Sequence, residues 1–128
     1  MKGPACYLGL ALLFTHELDS ITNHEWRVLP LLRSLPESVG ETVFIIAHIP
    51  LFALTIAYVA SLNSRTRKLA RDIVCGFFIV HAVLHLVFAG HSAYEFSSAL
   101  SSLLIYGAAL CGIAYFLSAA IHSKGEQA

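Results

Sequence analysis

Apolar residues gather into four long runs, separated by brief polar punctuation. The runs cover about Pro4–Ile21, Glu41–Leu62, Leu69–Gly90 and Ser92–Ile121. Segments two to four each reach the roughly 20 residues that a helix needs to cross hydrocarbon. The first is strongly apolar over Ala5–Thr15 and then turns polar in H-E-L-D. Lys2 ahead of a short apolar run has the look of a secretory leader. No small-x-small cleavage site follows it, so a retained helix is expected, with Pro4 suited to its first turn. Ser38-Val-Gly-Glu41 reads as a capping box before segment two, and Pro50 is expected to kink that segment.

The connections are short. Asn63–Lys68 joins segments two and three, and Gly90-His91 joins three and four, so these neighbours are expected to be antiparallel. Thr22–Gly40 is the longest connection. Trp26, Arg27, Leu31, Leu32 and Arg33 within it predict a short helix lying in the membrane interface, with Trp and Arg at headgroup level. The pattern predicts an all-α fold: a single four-span membrane domain over residues 1–128, a four-helix bundle with an interfacial helix between spans one and two.

Composition supports a membrane protein. The chain is 57% hydrophobic and only 12% charged, where soluble domains carry about a quarter, so it cannot cover itself with a polar surface. A net charge of zero gives no footprint for nucleic acid; the bilayer is the expected partner. Cys6, Cys75 and Cys111 sit within apolar runs without C-x-x-C spacing and read as small packed residues. Charge also orients the chain. Arg65, Arg67, Lys68 and Arg71 share a side with Lys2 and Lys124, whereas Arg27 and Arg33 lie opposite. The positive-inside rule then puts both termini in the cytoplasm of a multi-pass protein of the cell inner (plasma) membrane.

The seven histidines are the exception in this composition. A polar ring in a bilayer needs a partner, an interface or a task. His122, near the inner end, is expected at the surface. With four spans, His16, Glu17 and Asp19 reach the outer end of segment one. His48 lies about 10 Å into segment two, His81 and His85 near the outer end of segment three, and His91 and Glu95 at the outer start of segment four. His81 and His85 are spaced i,i+4 and share a helix face, as His16 and Asp19 do at i,i+3. His91, Glu95, Ser98 and Ser102 would form one stripe, with Glu95 also completing a capping box from Ser92. Facing helices that present imidazole and carboxylate are how bundles hold metals. Zinc or iron accepts that donor set.

The residues H-E-L-D-S-I-T-N-H-E-W-R-V-L-P-L-L, with His48, H-A-V-L-H (His81–His85) and H-S-A-Y-E (His91–Glu95), are broadly similar to small four-span bacterial membrane families of the HXXEE type. His16-Glu17-Leu18-Asp19 stands where those families carry a literal H-x-x-E-E. The resemblance implies class and topology, and no reaction.

Four functions follow from the pattern. The first is a metal-dependent membrane enzyme, most simply a hydrolase, acting on a lipid-like substrate. Its ligands would come from His16, Asp19, His48, His81, His85 and His91, with Glu17 and Glu95 as catalytic carboxylates. The second is a metal-free acid–base enzyme built on Glu17 and a histidine. The third is a haem or metal binder using His48 with His81 or His85. The fourth is a structural or partner-binding protein whose histidines only join helices. Zincin, desaturase, G-x-S-x-G and phosphate-loop motifs are absent. Ring nitrogens converging within about 4–5 Å would allow a single ion.

Overall fold

The computed structural model describes residues 2–125, with side chains placed for 3–121. The expectations resting on Lys2, His122 and Lys124 therefore lie outside the described side chains. Four α-helices make up the described residues: α1 (Lys2–Thr22), α2 (Glu37–Val59), α3 (Ser64–Phe88) and α4 (Ala99–Gly125), with a short 3-10 helix at Glu25–Arg27. Contacts fix their directions. Arg71 of α3 donates to the Tyr7 hydroxyl near the start of α1, and Tyr115 of α4 donates to Asp72 of α3. At the opposite end, Ser101 of α4 donates to Asp19 of α1. Successive helices therefore run up and down.

Helical periodicity selects the packed faces. Cys6, Leu10, Leu13, His16 and Ser20 are all buried and follow the spacing of one face of α1. Cys75, Phe78, Ala82 and His85 do the same on α3, and Leu104, Ile105, Ala108 and Tyr115 on α4. Close approach among these helices depends on two glycines. A Cβ at Gly9 would collide with the Phe78 ring, and one at Gly112 with the Cys75 carbonyl oxygen. Small residues at such crossings let membrane helices pack by van der Waals contact. The outward faces are apolar: Ile46, Ile49, Val87, Leu103 and Leu110 are all more than half exposed. That arrangement suits hydrocarbon surroundings.

Among the described residues, α2, α3 and α4 (to Ile121) are long and apolar enough to cross a membrane. The helix α1 has the length, at 21 residues, but His16, Glu17 and Asp19 make its final turns polar. The expected four-helix bundle resolves into three packed helices and one that stands off. The buried residues of α2 are only Gly40, Phe44 and Val59, near its two ends. The helix runs through Pro50 without interruption.

Several expected boundaries move. Glu37 begins α2, so Ser38–Glu41 lies within its opening turns, and the residue before the helix is Pro36, which makes no side-chain cap. Asn63 caps α3, accepting the backbone N–H groups of Arg65 and Thr66 at 3.0 Å. The basic residues Arg65, Arg67 and Lys68 consequently sit in the first turns of α3, where a loop was expected, with Arg71 following on the same helix. The fourth helix starts at Ala99, not Ser92, so there is no capping box at Ser92–Glu95 and no helical stripe through His91, Glu95 and Ser98. Residues 91–98 form an irregular strap instead, because their side chains have other partners. His91 Nδ1 accepts from the Ala93 N–H at 3.1 Å, Glu95 binds His24 and Arg27, and Phe96 is buried. The expected interfacial helix shrinks to Glu25–Arg27 followed by turns. Pro30 lacks the N–H that would continue the helix. Trp26 is buried among protein side chains, and its indole N–H donates to Glu37 at 3.0 Å.

Candidate metal centre

The stripe that packs α1 below His16 also aims His16 inward, against α3. There it meets His81 and His85, one turn apart on the same face. The three rings touch edge to face, with centroids 4.6 to 4.9 Å apart. Glu25 enters from above, carried by the 3-10 turn that follows α1. Its carboxylate oxygens lie 3.7 Å from His16 Nε2 and 3.9 Å from His85 Nε2. One donor atom from each of His16, Glu25, His81 and His85 lies within 4.8 Å of the other three.

Hydrogen bonding within this group is incomplete. His16 Nδ1, Glu25 Oε2, His81 Nδ1 and His85 Nε2 are buried and have no hydrogen-bond partner. Buried polar atoms are nearly always satisfied, and here four orphans fall in one cluster. The outer contacts are in place: the Ser20 hydroxyl and His16 Nε2 are hydrogen-bonded at 3.2 Å, and the Tyr94 hydroxyl and His85 Nδ1 at 3.1 Å. A partner on one ring nitrogen orients a histidine to present the other, which is Nε2 in His85 and Nδ1 in His16. Tetrahedral zinc, with bonds near 2.0–2.1 Å, separates its donors by about 3.3 Å. The widest pair would close by about 1.5 Å, a matter of side-chain rotation. Burial pushes the Glu25 carboxyl up to about 7, and the nearby charge of Glu17 adds to that.

A second pair faces the same space. Glu17 Oε2 lies 2.9 Å from His48 Nε2. His48 Nδ1 lies 2.7 Å from the Phe44 carbonyl, which can only accept, so Nδ1 carries a proton. One more proton lies between Nε2 and the carboxylate. The pair is either imidazolium with carboxylate or imidazole with carboxylic acid. Both ring nitrogens of His48 are thus engaged, and none is free for iron or zinc.

The remaining expected residues lie elsewhere. Asp19 turns to α4 and accepts from Ser101 at 2.6 Å. His91 makes the local turn already described. Glu95 sits on the exposed rim, 2.9 Å from His24 Nδ1 and 3.1 Å from Arg27. The hydrogen bond from His24, then the Arg27 charge, hold its carboxyl below the usual range. Glu25 is the residue that sequence reasoning missed, because H-E-W-R reads as an interfacial segment. The available signal was the apolar company of Trp26, Val28, Leu29 and Leu32, which suits a segment folded back over the helices.

Between α2 and the packed helices lies a cavity of about 580 Å³, lined by Glu17, Glu25, His48, His81 and His85 among many apolar side chains. Polar groups gather at the end capped by the 3-10 turn. The model of a family of unknown function, DUF6713, matches residues 4–122. The chain belongs to that family. No curated protein and no solved structure matches it. The match does not show the expected kinship with HXXEE-type families; it shows a family without an assigned activity.

Proposed function

We propose that this protein is a metal-dependent membrane enzyme acting on a lipid-like substrate. The observation that carries the reading is the cluster of four orphaned donor atoms on the wall of a largely apolar cavity. Three imidazoles and a carboxylate suit zinc or iron. An ion held there would act as a Lewis acid and lower the pKa of a bound water, which makes hydrolysis the simplest reaction for these parts. The Glu17–His48 pair would then serve as the acid–base group, with Glu17 in the catalytic role expected of it. His16, His81, His85 and Glu25 would be the ligands; Asp19, His48, His91 and Glu95 would not.

In this reading all four helices cross the plasma membrane, α1 with its polar turns shielded by α3, α4 and the loops. The basic start of α3 faces the cytoplasm together with both termini, and the His/Glu cluster lies beneath the external face. The haem alternative loses support because His48 has no free nitrogen.

Metal analysis of the purified, folded protein tests the proposal. About one equivalent of zinc or iron is expected, falling sharply in His81→Ala, His85→Ala and Glu25→Gln while helicity by circular dichroism is retained. A protein that takes up no metal, or keeps it in all three variants, overturns the assignment and leaves the histidines as a helix-joining seam.

A further inference from the structure

The cavity has a shape as well as a wall. On α2 its lining follows one helical stripe through Val43, Ala47, Leu51 and Thr55. On α3 a matching stripe runs from His85 through His81 and Phe77 to Ile73. Each stripe advances twelve positions from its first residue to its last, so each wall is about 18 Å long. Spread over that length, 580 Å³ gives a mean cross-section of about 32 Å². With carbon–carbon contacts near 4 Å, that section has room for an extended hydrocarbon chain.

The slot is polar at one end only. His85, His81, Glu25, Glu17, His48 and Tyr94 stand at its head. Below them Thr55 is the one hydroxyl-bearing residue among apolar lining. Its flank is open: Val43 and Leu51 on α2, and Ile73, Phe77 and Leu84 on α3, line it and yet are 42% to 63% exposed. In a bilayer these side chains border a slit between α2 and α3 that faces lipid tails.

We infer that the slot is the seat of a single-chain fatty acyl lipid. It enters sideways between α2 and α3, with its oxygen-bearing head at the His/Glu cluster and its tail running along α3 toward Ile73. This rests on the reading of the cluster as the reacting end and adds the substrate class, its entry route and its direction. Recognition is divided: the head is matched by the polar His/Glu end of the slot, and the tail by length. Each methylene that fits strengthens binding about fourfold.

The test is photo-crosslinking. Zinc-loaded protein in phosphatidylcholine nanodiscs is given palmitate bearing a diazirine near its methyl end. Crosslinks are expected at Thr55, Ile73 or Val74, competed by palmitate at a concentration at least about tenfold lower than by octanoate. Ala47→Trp blocks the slot and Thr55→Phe shortens it; each is expected to weaken labelling at least about tenfold, with metal content unchanged. Labels confined to the outward faces, at Ile45, Ile49 or Leu86, or competition independent of chain length, overturn the inference. So does displacement of the probe by the diacyl lipid of the disc. Metal content is read separately. Crosslinks without bound metal would leave the slot standing and the enzyme reading fallen, and metal without crosslinks the reverse.

Discussion

Glu17 of α1 and His48 of α2 meet at 2.9 Å, next to the Phe14 and Phe52 rings that pack between the same two helices with centroids 4.2 Å apart. These two contacts hold the middle of α2 to α1, while its ends are held by Trp26 above and by Arg71, which donates to the Val59 carbonyl, below. The pair is largely shielded, with 12% and 19% of its side chains exposed. Hydrogen bonds to charged groups are worth about 1.5–3 kcal/mol in such settings. A double-mutant cycle of Glu17→Ala and His48→Ala is expected to return a coupling of that size, measured by SDS titration in mixed micelles. A coupling near zero would show that the pair does not hold α2.

Tyr94 acts at one remove from the proposed ion. Its hydroxyl bonds His85 Nδ1 at 3.1 Å. Tyr94→Phe keeps the ring packed against Phe96 and removes that bond. Outer contacts of this kind are worth about 10- to 100-fold in metal affinity. Competition against a chelator should find a loss in that range with an unchanged unfolding curve.

Glu25 sets a pH dependence in the metal-free protein. Its folded pKa of about 7 lies above the ordinary glutamate value of 4.5, so the folded state holds a proton that the unfolded state releases. The sign follows: the contribution of this group is fully present below about 4.5 and is lost as pH rises through about 7. Infrared spectra of metal-free protein should show a carboxylic acid band that fades through about pH 7 and is missing from Glu25→Gln. A band already absent near pH 5 would contradict the buried carboxyl.

Glycine contacts separate packing from propensity. Gly112→Ala forces a methyl group into the Cys75 carbonyl, whereas Gly76→Ala meets nothing within 4 Å. The first is expected to destabilise by about 1–3 kcal/mol. The second should be neutral or stabilising by up to about 1 kcal/mol, since Ala is the better helix former. Equal effects in SDS titration would mean that α3 and α4 are not as close as the structure has them.

Helix number, up-down order and the shared face of His81 and His85 were legible in the chain, from the apolar runs, the short connections and the 3.6-residue repeat. That His16, His81 and His85 turn inward came from the structure, where they continue the buried stripes of Cys6, Leu10, Cys75 and Phe78. The start of α4 was not legible. Ser92–Ser98 could cap and propagate a helix, yet His24, Arg27 and the buried seat of Phe96 compete for its side chains.

By itself the sequence determined which residues must avoid water and which helix faces carry imidazole, because those properties repeat locally. Tertiary structure decided the fourth member of the cluster and the partner of His48. Glu25 joins His16 only because a 3-10 turn folds back beneath the strap of residues 91–98, and His48 meets Glu17 only because the connection after α1 returns α2 alongside it. Both outcomes depend on distances between segments far apart in the chain, which no local periodicity encodes.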